Sequence, residues 1–384
     1  MARILYITQL YPSDSFGGGQ RAKNTIYGLW RAGHLVNVCC FADKSFPYKK
    51  IKKKGLQIYG LNKKILLSPF SYAFLKVFTK SLFSSLPFRM FKFQDKKMEA
   101  LILSLQKKKK YDYVFLDFAS SLQYMVLVKS PVFYLEHNLE TSLVKQRYAK
   151  TKGIEKVFWF WEFLKTKKYE KNFLPRVTKI FAVNKNDKIK LKNYTDNPVV
   201  VMPTVVKTSQ KLGHTKALKI VFTGLLSWPE NKEGLIWFIN NCWPSICLKC
   251  PKVEFLVIGL NADKKLLKLM ADKGVVYLGY VKNLGKIYKE NPVAIAPILG
   301  GSGIKMKILS YMSYGLAIVS TTKGAVGINK KALLLADSAQ NFSQAVIQLL
   351  KNEKERSILG LKAKEIIRKD YSEERLINFL KKHL

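Results

Sequence analysis

Carboxylates are scarce in this 384-residue chain: 26 Asp and Glu stand against 67 Lys and Arg, a formal net charge of +41 at pH 7. The imbalance is sharpest over residues 44–94, which hold no Asp or Glu but twelve Lys/Arg and eleven Phe/Tyr. Histidines number four and cysteines five. Cys247 and Cys250 have a C-x-x-C spacing, but no second cysteine or histidine pair lies nearby to complete a zinc site. The thiols therefore read as reduced structural residues of a cytosolic chain. No Asp-x-Asp pair occurs, and no metal is expected. No uncharged apolar run reaches about 18 residues, which excludes a spanning helix in the sequence pattern. The N-terminus enters a strand over residues 4–7 without a signal-peptide layout. Zinc-finger spacing, an RNA-binding aromatic signature and a basic zipper are all missing, which argues against nucleic acid as a partner. The positive balance is left to an anionic membrane surface or to lysine-rich solvated faces.

The membrane reading has a local basis. Phe70, Phe74, Phe78 and Leu82 recur every four residues and share a helical face, with Lys76 and Lys80 on another part of the helix. A helix of this kind lies in a membrane interface. Phe70, Phe74, Lys76, Phe78 and Lys80 are then the expected membrane-binding residues of a cytoplasmic protein, peripheral on the inner face of the membrane. The other reading turns the aromatics to the core and the lysines to water.

Hydrophobic residues make up 48% of the chain, and short apolar runs alternate with helical periodicity throughout. Two sizeable cores fit the length. The fold expected is α/β, with two doubly wound Rossmann-like domains. Residues 1–206 form the first domain, polar residues 207–217 the linker and residues 218–370 the second domain. Residues 371–384 form a C-terminal helix. Gly17, Gly18 and Gly19 follow the first strand as a glycine loop, where open α/β sheets place ligands; a flexible turn is the alternative. His137 lies in residues 136–140, Glu-His-Asn-Leu-Glu, delivered by the strand over residues 132–135. It is either a site residue or a structural cap.

The most informative stretch is residues 293–322. An apolar run over residues 293–298 reads as a buried strand, and Gly300-Gly-Ser-Gly303 as a loop. Ile304, Ile308, Leu309 and Met312 mark a helix face that Gly315 stops, and a strand follows. Strand, glycine loop and helix converge backbone N–H groups on an anion. Lys305 and Lys307 add positive charge in the first turn, against the dipole preference, which a bound anion explains. A plain turn is the bland alternative.

Residues 301–309, Gly-Ser-Gly-Ile-Lys-Met-Lys-Ile-Leu, then Met312, Gly315 and residues 318–322 resemble the donor-binding segment of glycosyltransferase family 4, a GT-B branch. Residues 224–231, Gly-Leu-Leu-Ser-Trp-Pro-Glu-Asn, resemble the family's Gly-x-x-x-Trp-x-x-Asn turn, and residues 132–140 its strand followed by His-Asn-x-Glu. The resemblance covers most of the chain and is strongest over residues 219–328. It implies two domains facing a cleft, with the C-terminal helix crossing back onto the first. It further implies a retaining transferase that takes a hexose-type sugar from a nucleotide sugar, without metal or cofactor. The acceptor implied is a glycan or a lipid-linked acceptor in surface polysaccharide or glycoconjugate assembly. By the same resemblance, His137 lies near the transferred sugar. Donor contacts fall to Gly17, Gly18, Gly19, Gly224, Gly279, Tyr280, Val281, Gly301, Ser302, Gly303, Ile304, Lys305 and Ser310. The chain departs from the family at two glutamates eight positions apart, replaced by Ser302 and Ser310. The second glutamate holds both ribose hydroxyls, whereas a serine offers a single hydroxyl group. That departure supports the alternative of a catalytically silent subunit that binds nucleotide sugar or glycan beside a partner transferase.

Overall fold

The computed structural model describes residues 1–13, 17–42, 51–63, 71–206, 218–301 and 303–384. The linker read at residues 207–217, together with Phe70 and Ser302, lies outside the described residues. The chain divides into two compact units, one of residues 1–204 with 374–384, the other of residues 205–373.

The first unit is built on eight strands: β1 (Arg3–Thr8), β2 (Leu35–Ala42), β3 (Lys52–Lys53), β4 (Leu56–Asn62), β5 (Tyr113–Asp117), β6 (Val132–Leu135), β7 (Lys179–Ala182) and β8 (Val199–Val201). Their spatial order is β3-β4-β2-β1-β5-β6-β7-β8, parallel throughout except for β3 on β4. Ile4, Leu5, Tyr6 and Ile7 are all fully buried, the mark of a parallel sheet covered on both faces. The winding reverses between β1 and β5, where Thr8 is in register with Asp117. Ligands in open α/β sheets bind at the carboxyl ends beside such a reversal.

The second unit repeats the plan with β9 (Lys219–Thr223), β10 (Glu254–Ile258), β11 (Val276–Gly279), β12 (Val293–Ala296), β13 (Ala317–Ser320) and β14 (Leu333–Leu335). The order is β11-β10-β9-β12-β13-β14, all parallel, and the reversal falls between β9 and β12. Successive strand residues serve opposite cores. Ile220 and Phe222 join Phe238, Phe255 and Phe342 on one face, while Val221, Ala294 and Ile318 join Ile308, Tyr311 and Met312 on the other.

Several sequence expectations are corrected. Gly17, Gly18 and Gly19 are not a loop but the first turn of the helix Gly17–Arg31, whose buried Ala22, Ile26 and Leu29 anchor it to the sheet. Two helices follow β9, Pro229–Asn241 and Trp243–Lys249, broken at Cys242, with a proline in the first turn of each. Phe74 and Phe78, on the helix Tyr72–Leu82, do not form an outward face. Their rings stack at 5.8 Å, meet Phe88 edge-on at 5.6 and 6.0 Å, and Phe78 reaches Phe158 at 5.4 Å. Aromatic pairing within the unit takes up the surface that the four-residue spacing offered. Lys76 and Lys80 are exposed. The helix Glu373–His383 packs its buried Leu376 and Leu380 beside Gly28, and Lys179 Nζ donates to the His383 carbonyl at 2.9 Å. No described helix is long and apolar enough to cross a membrane.

Candidate functional site

In the second unit the chain leaves β12 into a turn that holds Gly301 at φ +91° and Gly303 at φ +74°. Both lie in the left-handed region that side chains avoid. A Cβ at Gly301 would stand 3.1 Å from Lys305 Nζ. Lys305 is the N-cap of the helix Met306–Ser313 and makes no side-chain capping bond, so the first-turn N–H groups gain no acceptor from it. Ile304, half-buried, packs on the core beneath.

Lys307 completes this corner. Its Nζ donates to Asn231 Oδ1 at 2.8 Å and stands 3.9 Å from the centroid of the Phe222 ring. Asn231 Nδ2 is in turn fixed on the Leu225 carbonyl at 2.9 Å. Burial, and then the Lys305 ammonium, hold the Lys307 pKa well below its usual value. A Cβ at Gly224 would fall 2.9 Å from both Asn231 Nδ2 and Lys307 Nζ. The turn after β9 and the turn after β12 thus meet in a cationic corner. An anion placed there gains the helix terminus and favours the charged form of Lys307.

Beside the corner lies a hydroxyl cluster. Thr223 N donates to Tyr311 Oη at 2.8 Å, and Thr223 Oγ1 lies 3.0 and 3.2 Å from the hydroxyls of Tyr311 and Tyr288. Burial pushes Tyr288 up to about 12, against hydrogen bonds from the Thr223 and Ser310 side chains. Ser310 therefore faces Tyr288. Gly279, at φ +63°, ends the edge strand β11, which β10 separates from β9, and Tyr280 and Val281 follow it. Tyr280 is largely exposed and Val281 packs on the core.

In the first unit His137 follows β6, and Asp117 ends β5 alongside it. His137 Nε2 lies 2.6 Å from Asp117 Oδ1, and Asp117 is fully buried. Phe118, a non-glycine residue at φ +69°, stacks on the imidazole with centroids 3.7 Å apart. Strain of this kind persists where the surroundings over-determine it. Burial lowers the His137 pKa against the opposing pull of Asp117, and Arg21 lowers it further. With Nε2–H assigned as donor to the carboxylate, Nδ1 becomes the acceptor nitrogen. Arg21 is buried as well. Its Nη1 donates to the Glu136 carbonyl at 2.6 Å, while Nε and Nη2 find no partner among the described residues.

Sequence reading missed Asn231, Thr223, Tyr288, Tyr311, Asp117, Phe118 and Arg21 as site residues, and did not count Lys307 among the donor contacts. For Asp117 a signal existed, since a carboxylate closes an otherwise apolar strand. The five cysteines are unbridged, and no group of three or more His, Cys, Asp and Glu that could hold a metal occurs among the described residues.

Two parallel, doubly wound α/β units are the architecture of the GT-B glycosyltransferase structures. Residues 217–352 match the family model described as Glycosyl transferases group 1. The chain is 24% identical over 304 residues to a protein of Klebsiella pneumoniae described as "Uncharacterized 44.6 kDa protein in cps region", across 73% of this chain and 76% of that one. Sucrose-phosphate synthase from Thermosynechococcus elongatus superposes with a TM-score of 0.76 at 13% identity, covering 100% of this chain and 98% of that chain. Anabaena HepE, solved in complex with UDP and glucose, gives 0.70 at 12% identity, covering 100% and 99%. The structural matches carry the fold. With the family match they support a glycosyltransferase and do not favour a silent binding subunit.

Proposed function

We propose that this chain is a retaining glycosyltransferase of the family 4 type that moves a hexose-type sugar from a nucleotide sugar to a glycan or lipid-linked acceptor in surface polysaccharide assembly. The observation that carries the reading is Lys307, its ammonium fixed on Asn231 Oδ1 at 2.8 Å beside Lys305 at a helix start with no side-chain cap. The departing nucleoside diphosphate develops negative charge, and Lys305, Lys307 and the first-turn N–H groups are fixed in place to meet it. Their cationic charge replaces a metal in this role. Ser310, next to Tyr288, takes one ribose hydroxyl. His137, oriented by Asp117 and Phe118, accepts a hydrogen bond from the transferred sugar through Nδ1.

Support for the setting comes from the relative in a cps region and from a fold shared with a structure holding UDP and glucose. Thermal unfolding against a panel of UDP-, GDP- and ADP-sugars, with chelator present, tests the donor site. One donor class should raise the midpoint in a concentration-dependent way. No shift with any donor would remove the reading.

A further inference from the structure

We propose that the surface made by the helices Tyr72–Leu82 and Gly153–Phe173 docks on an anionic membrane. The proposal goes beyond sugar transfer and rests chiefly on the longer helix, which the spacing of Phe70, Phe74 and Phe78 did not single out. Ile154, Val157, Phe160, Trp161 and Leu164 are all turned to solvent, Ile154 at 90% and Trp161 at 58% exposure. At about 100° per residue they fall within one arc of about 120°. The opposite side of the same helix is the packed one, burying Glu162, Thr166, Tyr169 and Glu170. Lys165 Nζ donates to the carbonyls of Ser81 (2.8 Å) and Leu82 (3.3 Å), which ties the two helices together. The shorter helix adds exposed Tyr72 and Leu75 in its first turn and Leu82 and Phe83 at its end, with Phe83 94% exposed. Apolar exposure on this scale marks an interaction surface.

Charge selects the occupant. Lys76, Lys80, Lys156, Lys167, Lys168 and Lys171 are exposed on the same two helices. The acids of the longer helix are spent elsewhere. Glu162 accepts from Phe88 N at 2.9 Å, and Glu170 from the backbone N–H groups of Glu140 and Thr141 at 2.7 and 3.0 Å. Glu155 accepts from Trp159 Nε1 at 2.9 Å and pairs with Arg147 at 3.6 Å. An aromatic centre with a cationic fringe fits anionic headgroups, with the rings at the interface level. A second copy of this chain would bring a like-charged fringe against it and be repelled.

The test is co-sedimentation of the full-length protein with vesicles of phosphatidylglycerol in phosphatidylcholine, and of phosphatidylcholine alone. At low salt, anionic vesicles should pellet much more of the protein than neutral ones, and the excess should disappear as salt rises. Each of Lys167→Gln and Lys168→Gln should weaken low-salt binding about fivefold. Trp161→Ser and Phe83→Ser should abolish the binding that survives at about 1 M salt, where screening has shortened to about 3 Å. All four variants should keep wild-type unfolding midpoints and donor turnover in lipid-free solution, so loss of docking stays distinct from loss of transferase function. Equal pelleting with both lipids, wild-type binding by all four variants, or a dimer that Trp161→Ser dissociates without any lipid binding would each overturn the proposal.

Discussion

Replacing Lys307 by Met separates binding from stability. The substitution keeps the length of the apolar stem and deletes the ammonium that lies 2.8 Å from Asn231 Oδ1 and 3.9 Å from the Phe222 ring centroid. A charge-assisted contact to phosphate is worth about 1.5–3 kcal/mol, so the donor Kd should rise between about 10- and 150-fold. Folding pays little for the change. The lost cation–π contact is worth about 0.5–2 kcal/mol and the Asn231 bond about 1 kcal/mol. Relief from burying an ammonium offsets them, because burial is the chief reason the Lys307 pKa is depressed. The net, within about 1 kcal/mol, shifts Tm by about 2–4 °C for a unit of this size. Titration calorimetry with the diphosphate and with the nucleotide sugar measures the first quantity, and scanning calorimetry the second. Lys305→Ala should likewise lose most donor turnover with its fold intact. An unchanged donor Kd for Lys307→Met, or a weakening that appears only with a collapse of Tm, would refute the argument.

His137→Ala should cut transfer while leaving donor Kd near wild type, and Asp117→Asn should do the same by releasing the imidazole; wild-type rates in both would make the pair structural. The His137 pKa lies below its unfolded value of about 6.5. Its contribution to stability is therefore complete above about 6.5 and is lost as pH falls through the folded-state value. Urea midpoints measured downward from pH 7.5 should fall more steeply for wild type than for His137→Gln, and parallel curves would contradict the shift. Ser310→Glu should fold, since Ser310 is only half-buried and Tyr288 can donate to the new carboxylate, and nucleotide affinity should hold or tighten; failure to fold would show a pocket rebuilt around serine.

The parallel strands were legible because burial on both faces leaves unbroken apolar runs, as in residues 4–7 and 293–296. The cationic corner was half legible. Glycine spacing announced a tight turn at Gly301 and Gly303, and the two lysines an anion, but nothing in the local sequence announced where the Lys307 side chain is held. The burial of Lys307 on Phe222 belongs to a contact 85 positions away. The Asp117–His137 pair depends on β5 lying in register beside β6, with Asp117 opposite Leu135. β4 was hidden within the acid-free segment, because only Leu56 and Ile58 of its seven residues are buried. Periodicity showed that Phe74 and Phe78 share a helix face but not which way that face points. For Gly17, Gly18 and Gly19, core packing overrode a local propensity for loop.

The most direct test is incubation of the full-length protein with a panel of nucleotide sugars, without acceptor and with chelator, followed by assay of free nucleoside diphosphate. A transferase whose lysines and helix start stabilise the leaving group should release it slowly from one donor class. Lys307→Met should suppress that release by at least about tenfold. Failure of every donor to bind or turn over, or equal release by Lys307→Met, would contradict it.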